Sequence, residues 1–285
     1  MSAPTPAVPP PSGHACETCP SRGGSWERLG IRPGSWDYLV ALAGNPNTGK
    51  TTVFNSLTGL RMHTGNWPGK TISRAEGGFA FNGQRYKLVD LPGTYSLLSA
   101  SPDEEVARDF ILFGRPDVTV IVADATCLER NLNLTLQILQ ITRSVVVCLN
   151  LMDEARANRI EIDVRNLARD LGVPVVPCAI RRGEGLPELL HEISAVARRE
   201  VRPQPYQLQL DIPGLRGALR QIEASLASLY PQLPQARWVA LRLLEGDRQV
   251  IEALRSGELG KILADPNATE LAPGSSRSQP PTSTR

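Results

Sequence analysis

The run Gly44-Asn45-Pro46-Asn47-Thr48-Gly49-Lys50-Thr51-Thr52 combines glycines, a lysine and hydroxyl groups at a spacing that suits a phosphate chain. Gly44 and Gly49 let the backbone turn tightly, so that successive N–H groups face an anion. A helix expected to begin here adds its N-terminal partial positive charge. Lys50 would bridge a β- and a γ-phosphate, and the Thr51 hydroxyl would ligate Mg²⁺. The run follows the apolar YLVALA and precedes TTVFNSL. That strand–loop–helix context is the one a phosphate-binding P-loop requires.

Three further groupings extend the site. Asp90-Leu91-Pro92-Gly93 ends the apolar segment RYKLVD, where the aspartate would hold a Mg²⁺-bound water and the Gly93 N–H would touch the γ-phosphate. Asn150-Leu151-Met152-Asp153 ends SVVVCLN. A carboxylate at Asp153 can accept both N1–H and N2–H of guanine, an arrangement adenine does not offer, so Asp153 is expected to select the base. Cys178 and Ala179 end PVVP, and a backbone N–H there could meet guanine O6. Each grouping alone has a bland reading: DxxG is a common turn, and NxxD could be a helix N-cap. Together they occur in GTPase order, each at the carboxyl end of an expected strand, where doubly wound sheets place ligands.

Between the first two motifs lies Gly65-Asn66-Trp67-Pro68-Gly69-Lys70-Thr71, whose composition predicts a mobile loop. Thr71 would be the second hydroxyl ligand of Mg²⁺ when a γ-phosphate is present, so that the segment orders with GTP and loosens on hydrolysis. Trp67 within it suggests a docking role. Lys50, Asn47, Thr71 and Gly93 are the residues expected to act in catalysis.

These motifs need a frame. Apolar runs at 38–43, 85–90, 117–123, 144–150 and 174–178 read as strands, and 50–58, 103–113, 130–141, 163–171 and 185–199 read as helices. Strand–helix alternation implies a mainly parallel α/β sheet covered on both faces. A strand at 76–82 precedes the turn Asn82-Gly83 and should pair antiparallel with 85–90. After Pro205 the pattern becomes helical: Leu215, Leu219, Ile222, Leu226 and Leu229 share a spacing, with Pro213 placed to open the helix, and further helices are expected at 237–245 and 247–255. The resulting division is an arm of 1–36, a nucleotide domain of 37–202, a small helical domain of 203–264 and a tail of 265–285. The arm and the tail, rich in Pro, Ser and Gly, read as disordered.

Composition limits the alternatives. The chain has 285 residues and a net charge of +2, with 31 basic residues nearly matched by 29 acidic ones, so no nucleic-acid partner is expected. Its longest apolar runs fall short of the roughly 18–20 residues that cross a bilayer. The N-terminus lacks the pattern of a secretory signal, which points to a cytoplasmic chain. Of five cysteines, Cys127, Cys148 and Cys178 are expected to be buried and inert, whereas His14, Cys16 and Cys19 form HACETC, either a weak metal site or two free thiols in a tail.

The segments GNPNTGKTTVFNSLTG, TGNWPGKT, DLPGTYSL, NLMDEA and RWVALRLLEGD resemble the ferrous-iron transport protein B family over roughly residues 38–264. The resemblance implies a P-loop NTPase of the Ras-like (TRAFAC) GTPase class, with a doubly wound sheet followed by a helical domain likened to a GDP-dissociation inhibitor. It also implies GTP and GDP as ligands, Mg²⁺ held by Thr51, Thr71 and Asp90, and K⁺ beside the phosphates on Asn47. A membrane transport domain that passes Fe²⁺ is the implied partner, at the cytoplasmic face of the bacterial inner membrane. That domain would lie in the same longer chain or in a separate subunit, and a homo-oligomer is left open. Thr94 stands where Ras-like enzymes carry glutamine, so slow intrinsic hydrolysis is expected. Leu151 stands where most GTPases carry lysine, so affinity should be modest and exchange fast. A ribosome-associated GTPase and a regulatory module with negligible turnover are the competing classes.

Overall fold

The computed structural model describes residues 36–257 apart from 61, 69, 99–100, 207–211, 213, 232 and 234. His14, Cys16, Cys19, Pro213 and the two expected disordered termini therefore lie outside the described residues.

The chain builds β1 (Tyr38–Gly44), α1 (Lys50–Thr58), β2 (Met62–Asn66), β3 (Ser73–Phe81), β4 (Gln84–Asp90), α2 (Pro102–Phe113), β5 (Val118–Asp124) and α3 (Leu128–Ile141). It continues with β6 (Val145–Asn150), α4 (Met152–Ala157), α5 (Val164–Leu171), β7 (Val175–Pro177), α6 (Leu186–Ala197), α7 (Leu215–Leu229), α8 (Ala236–Leu244) and α9 (Arg248–Arg255). The seven strands form one sheet in the order β2-β3-β4-β1-β5-β6-β7. β4, β1, β5, β6 and β7 run parallel, and β2 and β3 are antiparallel additions at one edge.

The strands at the centre are apolar throughout because both their faces are covered. Along β1, Leu39 and Ala41 join a core with Phe110, Ile121, Leu134 and Ile138, whereas Val40 and Leu42 join Phe54, Leu88, Val146 and Ile193 on the opposite face. That alternation is the period of two expected of a strand. The hairpin joining β3 and β4 turns at Asn82 (φ 48°) and Gly83 (φ 74°), the paired positive angles that match strand twist. α2 starts where the Ser101 side chain accepts a hydrogen bond from the Glu104 N–H, with Pro102 in its first turn and Asp103, Glu104 and Glu105 facing the positive helix end.

α7, α8 and α9 pack on the α2–α3 side, where Leu219, Leu226, Trp238, Val239 and Val250 join the same core as Phe110. Buried Trp238 is thus a packing residue. Arg242 of α8 is buried, ion-paired to Asp247 at 2.6 Å, and its Nη2 donates to the Leu98 carbonyl at 3.1 Å.

Three expectations are corrected. Gly65 and Asn66, expected in the mobile loop, instead end a strand, because Met62–Asn66 pairs with Ser73–Gly77 of β3. Trp67 is buried against Phe110 with ring centroids 5.4 Å apart, so it anchors the β2–β3 turn in the core and offers no docking surface. Leu229, expected in the helical stripe, is 68% exposed at the end of α7.

Candidate functional site

All five parallel strands end at one edge of the sheet, and the motifs singled out above sit on the loops that leave that edge. Strand order reverses around β1, with β4 on one side and β5 on the other. That reversal opens a crevice at the carboxyl ends.

The loop after β1 is held in a single shape. Asn47 (φ 67°) and Gly49 (φ 80°) both adopt left-handed angles, which asparagine and glycine tolerate. The Thr48 hydroxyl donates to the Asn45 carbonyl at 3.0 Å. A Cβ at Gly49 would come within 2.5 Å of Asn150 Nδ2, so only glycine fits between the two loops. α1 begins at Lys50 immediately afterwards, with Thr51 exposed and Thr52 half-buried. Buried Asn45 keeps its Nδ2 without a hydrogen-bond partner among the described residues. A buried donor left this way calls for one.

Asp90 ends β4 beside this loop. Lys50 Nζ is ion-paired to Asp90 Oδ1, with side chains only 12% and 20% exposed. Burial pushes the Asp90 carboxyl above its usual range, and the adjacent Lys50 ammonium opposes that rise. Gly93 passes 3.5 Å from Pro46 when measured from where its Cβ would stand, and the Thr94 N–H donates to the Gly44 carbonyl at 3.4 Å. Thr94 is buried. Thr71 is exposed in the turn joining β2 to β3. Because Ala75 pairs with Asp90, that turn projects from the same sheet edge as the P-loop. The Trp67 N–H donates to the Ile72 carbonyl at 2.9 Å, and Lys70 Nζ pairs with Glu105 Oε2 of α2 at 2.8 Å.

At the other end, Asn150 is a buried brace. Its Nδ2 donates to the Thr48 carbonyl at 3.0 Å and its Oδ1 accepts from the Ile180 N–H at 3.3 Å. The Asn150 amide thus ties the P-loop to the loop after β7. Leu151 (φ 62°) turns the chain into α4, and the Met152 N–H donates to the Cys178 carbonyl at 3.0 Å. Asp153, on the first turn of α4, lies 3.1 Å from Arg182 Nε. The Ala179 N–H donates to the Glu184 carbonyl at 3.1 Å, closing a small bridge.

Arg182 and Glu184 were not foreseen, because nothing in RRGEG alone says which strand end the turn folds onto. The cysteine expectation also needs correction: Cys148 and Cys178 are buried, but Cys127 is exposed at the start of α3. The hydrogen bond with Cys178, together with burial, raises the Cys148 thiol well above its ordinary pKa.

The family described as Ferrous iron transport protein B matches residues 38–193, and the FeoB cytosolic helical domain matches residues 214–271. The Fe(2+) transporter FeoB of Salmonella typhimurium is 44% identical over 212 residues, which cover 73% of this chain and 27% of the relative. That of Escherichia coli K12 is 41% identical over 215 residues with the same coverage. The chain thus spans about a quarter of the length of the curated relatives it matches. The cytosolic domain of L. pneumophila FeoB superimposes with a TM-score of 0.70 at 34% identity, covering 79% of this chain and 89% of that one. A point mutant of S. thermophilus NFeoB bound to GDP gives 0.69 at 35% identity, covering 79% and 87%.

Proposed function

Since the chain belongs to the ferrous iron transport protein B family, we propose that its 37–202 region is a G domain that binds and hydrolyses GTP. Residues 203–264 would then form the helical domain that carries the nucleotide state to a membrane transport domain moving Fe²⁺ as cargo. On this reading the region works at the cytoplasmic face of the membrane. Among the described residues, no helix is long and apolar enough to cross a membrane.

The observation that carries the reading is convergence: the loops after β1, β6 and β7 meet at one sheet edge, joined through Asn150, and the end of β4 joins them through the Lys50–Asp90 pair. The phosphate chain lies on Gly44, Asn45, Pro46, Asn47, Thr48 and Gly49, with Lys50, Thr51 and Thr52 at the helix start. The left-handed loop geometry and the orphan Asn45 amide fit an anion. Asp90 with the hydroxyls of Thr51 and Thr71 forms a hard oxygen donor set that fits Mg²⁺. When bound, that ion supplies neutralisation of charge between the β- and γ-phosphates.

The residues of the chain do the rest. Lys50 moves from Asp90 to the phosphates, and the Gly93 N–H meets the terminal phosphate. Asp153 accepts the guanine N–H pair, with Leu151, Cys178 and Ala179 shaping the base pocket. Exposed Asn47 contributes its amide oxygen toward a K⁺ ion beside the phosphates. Burial of Thr94 supports slow turnover, since the residue after Gly93 does not stand free to orient a water.

The test is phosphate release from GTP and ATP with Mg²⁺, in K⁺ and in Na⁺, for wild type and Asn47→Ala. GTP-selective release, stimulated by K⁺ in wild type and equal in both salts for the variant, is expected. Equal rates for GTP and ATP would overturn the base reading, and K⁺ stimulation surviving in Asn47→Ala would overturn the Asn47 role.

A further inference from the structure

The groups that would read the edge of guanine are already engaged by one short turn of this chain. Asp153 Oδ2 is 3.1 Å from Arg182 Nε, and the Ala179 N–H donates to the Glu184 carbonyl at 3.1 Å. The chemistry is of the same kind, with one guanidinium nitrogen against one carboxylate oxygen. A guanidinium is a planar array of N–H donors, as is the N1–H and N2–H edge of guanine. A backbone carbonyl is an acceptor, as is guanine O6. We infer that the 180–184 turn is an internal stand-in for the base edge, in which Arg182 competes with guanine for Asp153 and so sets nucleotide affinity and release. The inference rests on the guanine site proposed above.

The turn is built to hold this position. Ile180–Arg182 is a single 3₁₀ turn, with the Arg182 N–H donating to the Ala179 carbonyl at 2.8 Å and the Gly183 N–H to the Ile180 carbonyl at 3.0 Å. Left-handed Gly183 (φ 75°) and Gly185 (φ 81°) close it. A Cβ at Gly185 would meet the Pro177 carbonyl at 2.5 Å. The Ile180 N–H is fastened to buried Asn150, and the exposed Glu184 carboxylate lies 3.0 Å from Arg156 of α4. Helix α4 also carries Asp153, so the turn is anchored at Ile180 and lies against α4 at its other end.

Exposure decides how strongly the stand-in competes. The Arg182 side chain is 63% exposed and that of Asp153 18%. The cation therefore leaves for water at little cost, and a pair of this kind alters affinity by only about two- to five-fold. Competition of that size would hasten release without preventing binding.

The experiment follows GDP and XDP binding and release, by fluorescent-nucleotide exchange and calorimetry, in the full chain. Arg182→Ala and Arg182→Gln should each tighten GDP and slow its release by about two- to five-fold relative to wild type. The gap should close as N-methylglucamine chloride is added, because salt screens the pair in wild type and has no pair to screen in the variants. Asp153→Asn should shift preference toward XDP, and in that background Arg182→Ala should leave XDP affinity unchanged. Unchanged or weakened GDP binding in both Arg182 variants overturns the inference. Failure of Asp153→Asn to alter the GDP-to-XDP preference overturns instead the guanine reading on which it rests.

Discussion

At the phosphate end of the crevice Asp90 is held by Lys50, and at the base end Asp153 is held by Arg182. The first pair is mostly shielded on both sides, at 12% and 20% exposure, whereas in the second the cation is 63% exposed. Position in the chain differs too. Lys50 opens α1, so its stem is fixed by a helix, and Arg182 rides on a short turn. A buried ion pair cannot lose one partner cheaply, because the other is left as an uncompensated charge. An anion that draws Lys50 away must therefore arrive with a cation for Asp90, the form in which a metal-bound nucleotide comes. No such condition binds the base end, where Arg182 can withdraw into water. On the proposed reading the phosphate end couples two ligands, and the base end tunes how long one of them stays.

Removing the cation at each end is the sharpest way to break this comparison. Lys50→Ala should lower GTP affinity by about 30-fold or more, since truncating one partner of a desolvated charge pair costs about 2–5 kcal/mol. Calorimetric titration with Mg²⁺ and GTP measures it. The sign should be opposite to that of Arg182→Ala, and a loss no larger than a few-fold would mean that the two ends are built alike.

The next effect belongs to the residue both ends share. Asn150→Ala leaves the Thr48 carbonyl and the Ile180 N–H without their buried partner, at a cost of about 1–3 kcal/mol. Thermal denaturation without nucleotide should show a melting temperature lower by several degrees, at about 2–4 °C for each kcal/mol in a domain of this size. GDP affinity should fall by roughly 10-fold in parallel, as the P-loop loses its tether. An unchanged melting temperature with impaired GDP binding would make Asn150 a ligand contact alone.

The phosphate end was the more legible in sequence, for a physical reason. GNPNTGKTT is one continuous stretch whose residue types encode its own backbone shape, and its flanks announce a strand and a helix. The strands from β3 to β7 were legible because their apolar runs are unbroken or alternate. β2 was not, since MHTGN has no such pattern and becomes a strand only by pairing with β3. Trp67 looked like an exposed docking residue because Gly and Pro surround it, yet Phe110, distant in sequence, buries it. Exposed Cys127 shows the converse, a residue beside an apolar helix that faces out. At the base end, the bracing role of Asn150 and the reach of Arg182 depend on how β6 and β7 align. Local spacing carries no trace of that.

The smallest effect expected concerns pH and again separates the two ends. Burial holds the Asp90 carboxyl above its ordinary pKa, with Lys50 only partly offsetting it. In the unfolded chain the same group titrates near the usual value, about 3.9. Between these two values the native state binds more protons than the unfolded one. Stability from this group is therefore greatest below the unfolded value, falls as pH rises through the window, and stays reduced above the folded value. Asp90→Asn removes the titration, so the melting temperature of the nucleotide-free variant, followed from about pH 4 to about pH 7, should decline less with rising pH than that of wild type. Arg182→Ala should leave that decline in place, because it does not touch the Lys50–Asp90 pair. Identical profiles for Asp90→Asn and wild type would mean that Lys50 fully compensates Asp90 in solution, and the buried end of the crevice would then carry no more strain than the exposed one.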